Sequence, residues 1–334
     1  MEELLVGLRA AAESTRVRIL FVLSHGEFNV SELTQVLGQS QPRVSRHLKL
    51  MVEAGLVSRH KEGNWVLFRL REEGFGGTLS RAIVDMLPAH DDTLAADLAR
   101  LETIRAQRAD LAASYFSSNA ANWEKLRSLH IREQDVEAAM QAMLGRQRIK
   151  TLVDLGTGTG RALELFAPQA EQAFGIDSSR EMLAIARANL EKRALRHAQV
   201  RQGDIYALPF ANAAADLVII HQVLHYLDDP GGALLEARRI LHPEGRLLVV
   251  DFAPHELESL RSEHAHRRLG ISTEQITGWF GRAGLALHRH ELLPPPWLKE
   301  QTGLTVSLWL AVPKPARTVQ SPAKPAAGLE SKIQ

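Results

Sequence analysis

The chain has 334 residues, with 40 Lys or Arg against 39 Asp or Glu, a formal net charge of +1, and no cysteine. That length suggests about two domains, each large enough to bury its own core. No apolar stretch could span a bilayer and the N-terminus lacks a basic and then apolar signal pattern, so no membrane partner and a cytoplasmic location are expected; without thiols, metal sensing or metal chemistry through thiolates is excluded.

The first helical pattern lies at residues 10–25, with an apolar stripe at Val17, Leu20, Phe21 and Leu23. Residues 31–37 read as a short helix stopped by Gly38 as a C-terminal cap. Ser40 as an N-cap and Pro42 in the first turn then open a helix running to Ala54. On it Val44, Leu48 and Val52 recur every four residues and face the core. Gln41, Arg43, Ser45, Arg46, His47 and Lys49 lie off that stripe and offer polar and cationic donors, as a recognition helix in a major groove requires. Residues 56–60 and 65–70 alternate like two strands around Glu62-Gly63-Asn64, a wing on which Lys61 and Asn64 are further candidates for DNA contact.

The run Ser-Gln-Pro-Arg-Val-Ser-Arg-His-Leu-Lys-Leu-Met-Val-Glu-Ala-Gly-Leu-Val at 40–57, with the wing that follows, resembles the winged helix-turn-helix of the arsenic-repressor (ArsR/SmtB) family over about seventy residues. The resemblance implies double-stranded operator DNA as a partner; a protein-interaction role is the other use of such a domain. Nine Lys or Arg face seven Asp or Glu over residues 1–70, so the domain is barely basic. Modest nonspecific affinity and reliance on dimerisation follow. Where metal-sensing members carry thiols ahead of the recognition helix, this chain has Asn29 and Ser31, which excludes arsenic sensing through thiolates.

Residues 79–117 read as a long amphipathic helix with Leu94, Leu98, Leu101, Ile104 and Leu111 on one side, and Pro88 separates it from a shorter helix at 79–87. Such a helix either pairs with its twin in a homodimer, which suits palindromic operators, or packs on the domain that follows. Tyr115 and Trp123 either close a pocket or belong to a core. The expected division is a winged-helix domain at 1–75, a helical linker and dimerisation region at 76–143, a third domain at 144–313, and a disordered tail at 314–334 rich in Pro, Ala, Ser and Lys.

In that third domain a strand at 149–155 ends in Gly156, Gly158 and Gly160 and runs into a helix at 161–166. Glycine there lets backbone approach a ligand. A strand at 172–176 ends in Asp177, placed to accept both hydroxyls of a ribose. A third strand, 198–202, leads into Gly203-Asp204-Ile205. Taken together these resemble the class I S-adenosylmethionine-dependent methyltransferases over roughly 144–313, which implies an α/β, Rossmann-like seven-stranded sheet. The resemblance also implies that Asp154 with Gly156, Thr157, Gly158 and Gly160 holds the methionine end and that Asp177 takes the ribose. Asp204 and the Ile205 backbone would read the adenine edge, while Ser178, Met182, His221 and Tyr115 complete the set.

The fourth strand, 215–220, runs into His221-Gln222-Val223-Leu224-His225-Tyr226. No Asn/Asp-Pro-Pro-Tyr motif stands there, and the local pattern looks like the small-molecule methyltransferases of the ubiquinone type. A general base is needed only where the acceptor loses a proton, and His221 and His225 are the catalytic candidates; equally, His221 packs against the cofactor and His225 caps a helix turn. A helix at 230–241, a strand at 245–252, a helix at 272–283 and an antiparallel pair at 285–292 and 305–312 complete the sheet, with residues 294–297 bridging the pair. His255, Glu263, His264 and His266 form the densest imidazole and carboxylate cluster. A metal is not expected there, because His264 and His266 would diverge on a helix. Residues 263–268 read as a polar face or a lid.

Two functions fit. One is a transcriptional regulator that senses S-adenosylmethionine or S-adenosylhomocysteine, similar to the S-adenosylhomocysteine-responsive repressors of methionine metabolism (SahR). The other is an active small-molecule methyltransferase with an accessory winged helix. The absence of an acceptor-specific motif beside a cationic recognition face favours the regulator.

Overall fold

The computed structural model describes residues 1–62, 65–71, 73–120, 132–295 and 303–315. Asn64, Trp123, residues 296–297 of the bridging segment and residues 316–334 of the expected tail lie outside them. Among the described residues no helix is long and apolar enough to cross a membrane.

The helix expected at 10–25 is α2 (Ser14–Ser24), and a further helix, α1 (Glu2–Ala11), precedes it. The break between them has a local cause: the Glu13 carboxylate accepts the Arg16 N–H at 3.0 Å and so caps a new helix. After the two-residue strand β1 (Phe28–Asn29), Asn29 caps α3 (Val30–Leu37) in a reciprocal box with Glu32, and Gly38 ends it at φ +62°. Helix α4 (Gln41–Glu53) follows at once, its buried stripe being Val44, Leu48 and Met51. Ser40 holds the N-cap position, yet its hydroxyl makes no cap hydrogen bond. Strands β2 (Val57–Glu62) and β3 (Trp65–Leu70) form the wing, and β1 joins β3 to give a three-stranded antiparallel sheet.

Helix α5 (Gly74–Asp85) precedes the 28-residue α6 (Asp92–Asn119), which Asp91 caps. The apolar stripe of α6 packs, over Leu98 to Ile104, into the winged-helix core. Leu101 belongs to the winged-helix core with Ile19, Leu33 and Leu48, and Leu98 and Ile104 pack against it. Those three residues of the stripe are covered by their own domain; the side chain of Leu111 is not among those described. Asp97, fully buried, fixes the attachment. It accepts Arg18 Nε at 2.6 Å and a second Arg18 nitrogen at 2.7 Å, and Arg100 also donates to it. Arg18 and Arg100 in turn donate to the carbonyls of Leu37 and Val36 at the end of α3. Removing one partner strands charge in a dry site. Asp97→Ala should cost roughly 3 kcal/mol of winged-helix stability, read as a lowered urea midpoint; an unchanged midpoint would discount this hub.

Helix α7 (Glu133–Leu144) leads into the second sheet, in the order β6-β5-β4-β7-β8-β10-β9. Its strands are β4 (Ile149–Leu155), β5 (Ala170–Asp177), β6 (Ala198–Gln202), β7 (Ala215–His221), β8 (Leu241–Phe252), β9 (Leu285–Leu293) and β10 (Val306–Pro313). The first five run parallel, and β10, inserted between β8 and β9, is antiparallel to both of them. Alternate residues feed two cores: Leu152, Leu217 and Leu248 one, Val153, Val218 and Val249 the other. Helices α7, α8 (Arg161–Phe166) and α9 (Arg180–Lys192) cover the first; α10 (Pro230–Ile240) and α12 (Thr273–Ala283) cover the second. Strand order departs in both directions from β4, and the crevice outside the carboxyl ends of β4, β5 and β7 is where such sheets take ligands.

Candidate ligand cavity and recognition helix

A cavity of about 1020 Å³ opens in that crevice. Of the expected ligand residues, Asp154, Gly156, Thr157, Gly158, Asp177, Ser178, Met182, Asp204, Ile205, His221 and Tyr115 line it, whereas Gly160 lies behind as the N-cap of α8 at φ +86°. The turn after β4 folds back on its neighbour: the N–H groups of Gly156 and Thr157 both donate to the Ile176 carbonyl, at 2.8 and 3.0 Å. At Gly156, φ is +71° and a Cβ would meet Val223 Cγ2 at 2.4 Å, so only glycine fits. The Thr157 hydroxyl donates to the buried Asp154 carboxylate at 2.5 Å.

Asp177 joins two walls. Its carboxylate accepts the Gly158 N–H at 2.8 Å and the Ser179 N–H at 2.9 Å. Burial pushes this carboxyl above the ordinary carboxylate range, and the backbone donors of Ser179, Gly158 and Ser178 pull the other way. The Asp177 carbonyl accepts the Gly203 N–H at 3.0 Å, which hangs the third wall from the second. There Asp204, exposed, accepts the Tyr206 N–H at 2.9 Å and shapes its own turn. Tyr206 also lines the cavity and was not singled out from sequence.

The two histidines separate. His221 lines the cavity from the end of β7. His225 is 1% exposed and is not part of the lining. Its Nδ1 meets Asp251 Oδ1 at 2.6 Å, its own N–H donates to Asp251 Oδ2 at 3.2 Å, and its ring lies against Tyr226, His266 and Phe252. Its candidacy as a catalytic base loses support, because the ring lies buried behind Tyr226 and His266 and outside the cavity lining, and its bond to Asp251 takes the place of the expected helix cap. Between them Gln222 sits at φ +56° with 7% exposure, a strained conformation for a non-glycine residue and one the sequence does not announce.

The far wall is α11 (Ser259–His264) and the strap after it. Arg261, Ser262, Glu263, Ala265, His266 and Arg267 line the cavity, in keeping with the lid expected at 263–268. The helix stops at His264, because Ala265 turns left-handed at φ +56°, so His264 and His266 do not share a helix as the sequence reading supposed. His264 Nδ1 meets the Tyr115 hydroxyl at 2.8 Å, while His266 stacks on Phe252. Burial pushes the Tyr115 phenol up, and the Tyr226 phenol further, which leaves both as neutral donors. Two lining residues come from the winged helix: Glu32 of α3 and Trp65 of β3.

On α4, Gln41, Arg43, Ser45, Arg46 and Lys49 are exposed, and Lys61 is exposed on β2. His47 turns partly inward to 3.8 Å from Glu13, and burial pushes its imidazole below the ordinary value, so it is poorly placed to meet a base edge. Arg43 also leans on Glu13, at 3.6 Å, and Arg46 is exposed on the same helix.

Two family models match. Residues 13–59 match the arsR family of bacterial regulatory proteins, and residues 153–249 match a methyltransferase domain. The arsenic resistance transcriptional regulator ArsR1 of Pseudomonas putida is 36% identical over 96 residues, which cover 28% of this chain and 73% of that regulator. The demethylmenaquinone methyltransferase of Thermus thermophilus is 42% identical over 108 residues, 31% of this chain and 48% of that enzyme. The chain spans about half the length of the methyltransferases it matches, 42% in the case of YcgJ from Bacillus subtilis. Among solved structures, the methyltransferase bound to the Trm112 activator of Haloferax volcanii aligns with a TM-score of 0.51 at 22% identity, over 60% of this chain and 98% of that one, which shows the fold. The chain belongs to the arsR family of bacterial regulatory proteins and carries a methyltransferase domain behind its winged helix.

Proposed function

We propose that this protein is a transcriptional regulator whose methyltransferase domain binds S-adenosylmethionine or S-adenosylhomocysteine and thereby changes the affinity of the winged helix, acting as a homodimer, for double-stranded operator DNA. Operator binding would place it in the cytoplasm. The observation that carries the reading is that one cavity is lined by the glycine turn and Asp177 on one side and by Glu32 and Trp65 of the winged helix on another. The chain fits the ligand class. Gly156 and Gly158 keep the turn bare along the cavity wall, Asp177 offers a carboxylate to two vicinal hydroxyls, and the loop from Gly203 to Ile205 offers backbone to a base edge. When bound, S-adenosylmethionine supplies an electrophilic methyl group; in this reading the chain needs only to bind it.

The test is fluorescence anisotropy on duplex DNA from upstream of the coding sequence, with no ligand, with S-adenosylmethionine and with S-adenosylhomocysteine. At least one ligand should shift the affinity by about 5-fold or more, the lower range of allosteric coupling. DNA affinity indifferent to both would defeat the regulator. A second reading, methyl transfer to a small molecule, draws support from the cavity itself, whose Tyr115, Phe116 and Tyr226 give an aromatic wall beyond the nucleoside residues, with His221 as its candidate base.

A further inference from the structure

Trp65 is the first residue of β3, at the tip of the wing, and its ring carries the Arg261 guanidinium at 4.4 Å. That Arg261 side chain is only 6% exposed, with Glu258 as its ion partner at 3.3 Å. A guanidinium so far removed from water is held by the flat indole face as well as by charge. Helix α11, which bears it, is tied to α6 through Tyr115 and His264 and lines the cavity with Ser262 and Glu263. Beyond the turn at Ala265 the strap is clamped to the loop that follows β7. The N–H groups of Arg267 and Arg268 donate to the His225 carbonyl, Arg267 pairs with Asp228 at 2.8 Å, and Arg268 donates to the Leu227 carbonyl at 2.6 Å. One end of this lid is thus fixed to the methyltransferase domain, while the other rests on the wing.

We infer that Trp65 is a ligand-pocket residue supplied by the DNA-reading domain, and that Arg261 latches the wing over the cavity. The inference rests on the reading that the cavity takes an adenosyl ligand. A winged helix engages a duplex with recognition helix and wing together, so a wing tip held under Arg261 must leave it to follow the DNA backbone. Ligand, by completing the cavity beneath the lid, favours the latched wing; DNA favours the released one. The two then oppose each other, and by linkage each weakens the other by the same factor.

Full-length Arg261→Gln, Arg261→Lys and Trp65→Ala are compared with wild type by anisotropy on the upstream duplex and by calorimetry with S-adenosylhomocysteine. Trp65 is 37% exposed on a wing, so its truncation is compatible with folding. Without ligand, Arg261→Gln should bind DNA at least about 5-fold more tightly than wild type, with Arg261→Lys between the two, because lysine keeps the charge and loses the planar stack. Trp65→Ala should bind S-adenosylhomocysteine about 5-fold more weakly. Unchanged ligand-free DNA affinity in Arg261→Gln, with a wild-type response to ligand, overturns the latch and leaves the regulator standing. Tighter ligand-free DNA binding by Arg261→Gln, in a protein whose wild type ignores both nucleosides, supports the latch and sinks the regulator.

Discussion

Asp177→Ala should lower the affinity for S-adenosylhomocysteine by about 100-fold or more in calorimetry. A hydrogen bond from a neutral hydroxyl to a charged acceptor is worth roughly 1.5–3 kcal/mol, and a ribose presents two of them to one carboxylate. The sum, about 3–6 kcal/mol, corresponds to roughly two to four decades in Kd. Part of the loss is indirect, since the same carboxylate orders the glycine turn through the Gly158 N–H. Asp177→Asn, which keeps one acceptor and loses the charge, should fall between. Acidity supplies a second readout. The ligand selects the ionised carboxyl, and burial raises this group in the free protein, so affinity should decline as pH falls through a midpoint higher than that of an ordinary aspartate and recover above it. The Asn variant should be flat across the same interval. Wild-type affinity in Asp177→Ala would remove this residue from the ribose site.

Arg46→Ala should weaken binding to the upstream duplex by roughly 5- to 150-fold per half-site, with ligand affinity unchanged. A bidentate arginine contact to a guanine edge contributes about 1–3 kcal/mol of discrimination, and in a homodimer the loss is incurred at both half-sites. Arg43→Ala should cost less, because Arg43 is engaged with Glu13 at the edge of α4. If Arg46 instead contacts phosphate, the variant will lose affinity evenly across sequences and flatten the salt dependence by about one unit. Normal DNA binding by Arg46→Ala would take it out of the readout set.

Much of the fold is legible because its signals are local. Strands β4 and β6 and helix α8 have the limits that apolar runs, glycines and aspartates set, and the wing follows from simple alternation. What escapes sequence reading depends on partners distant along the chain or on a single cap. The Glu13 cap starts α2 at Ser14, four residues later than the helical pattern at 10–25 suggests. Asp97 reads as a solvated position on a helix until Arg18, 79 residues earlier, folds onto it. His225 reads as a candidate base because nothing near it predicts that Asp251 will claim it, and the Leu98–Leu101 stripe gives no sign of which domain covers it. Trp65 and Arg261 lie in different domains, so their stacking has no trace in either local pattern.

The anchoring of α6 at Asp97 makes the long helix a mechanical element. From Asp97 to Tyr115 are 18 residues of continuous helix, about 27 Å at 1.5 Å per residue. With one end bolted to the winged helix and the other bonded to His264 on the lid, it works as a lever arm. A tilt of about 5° at the DNA-reading end becomes a sweep of roughly 2 Å at the Tyr115 hydroxyl, enough to make or break a hydrogen bond.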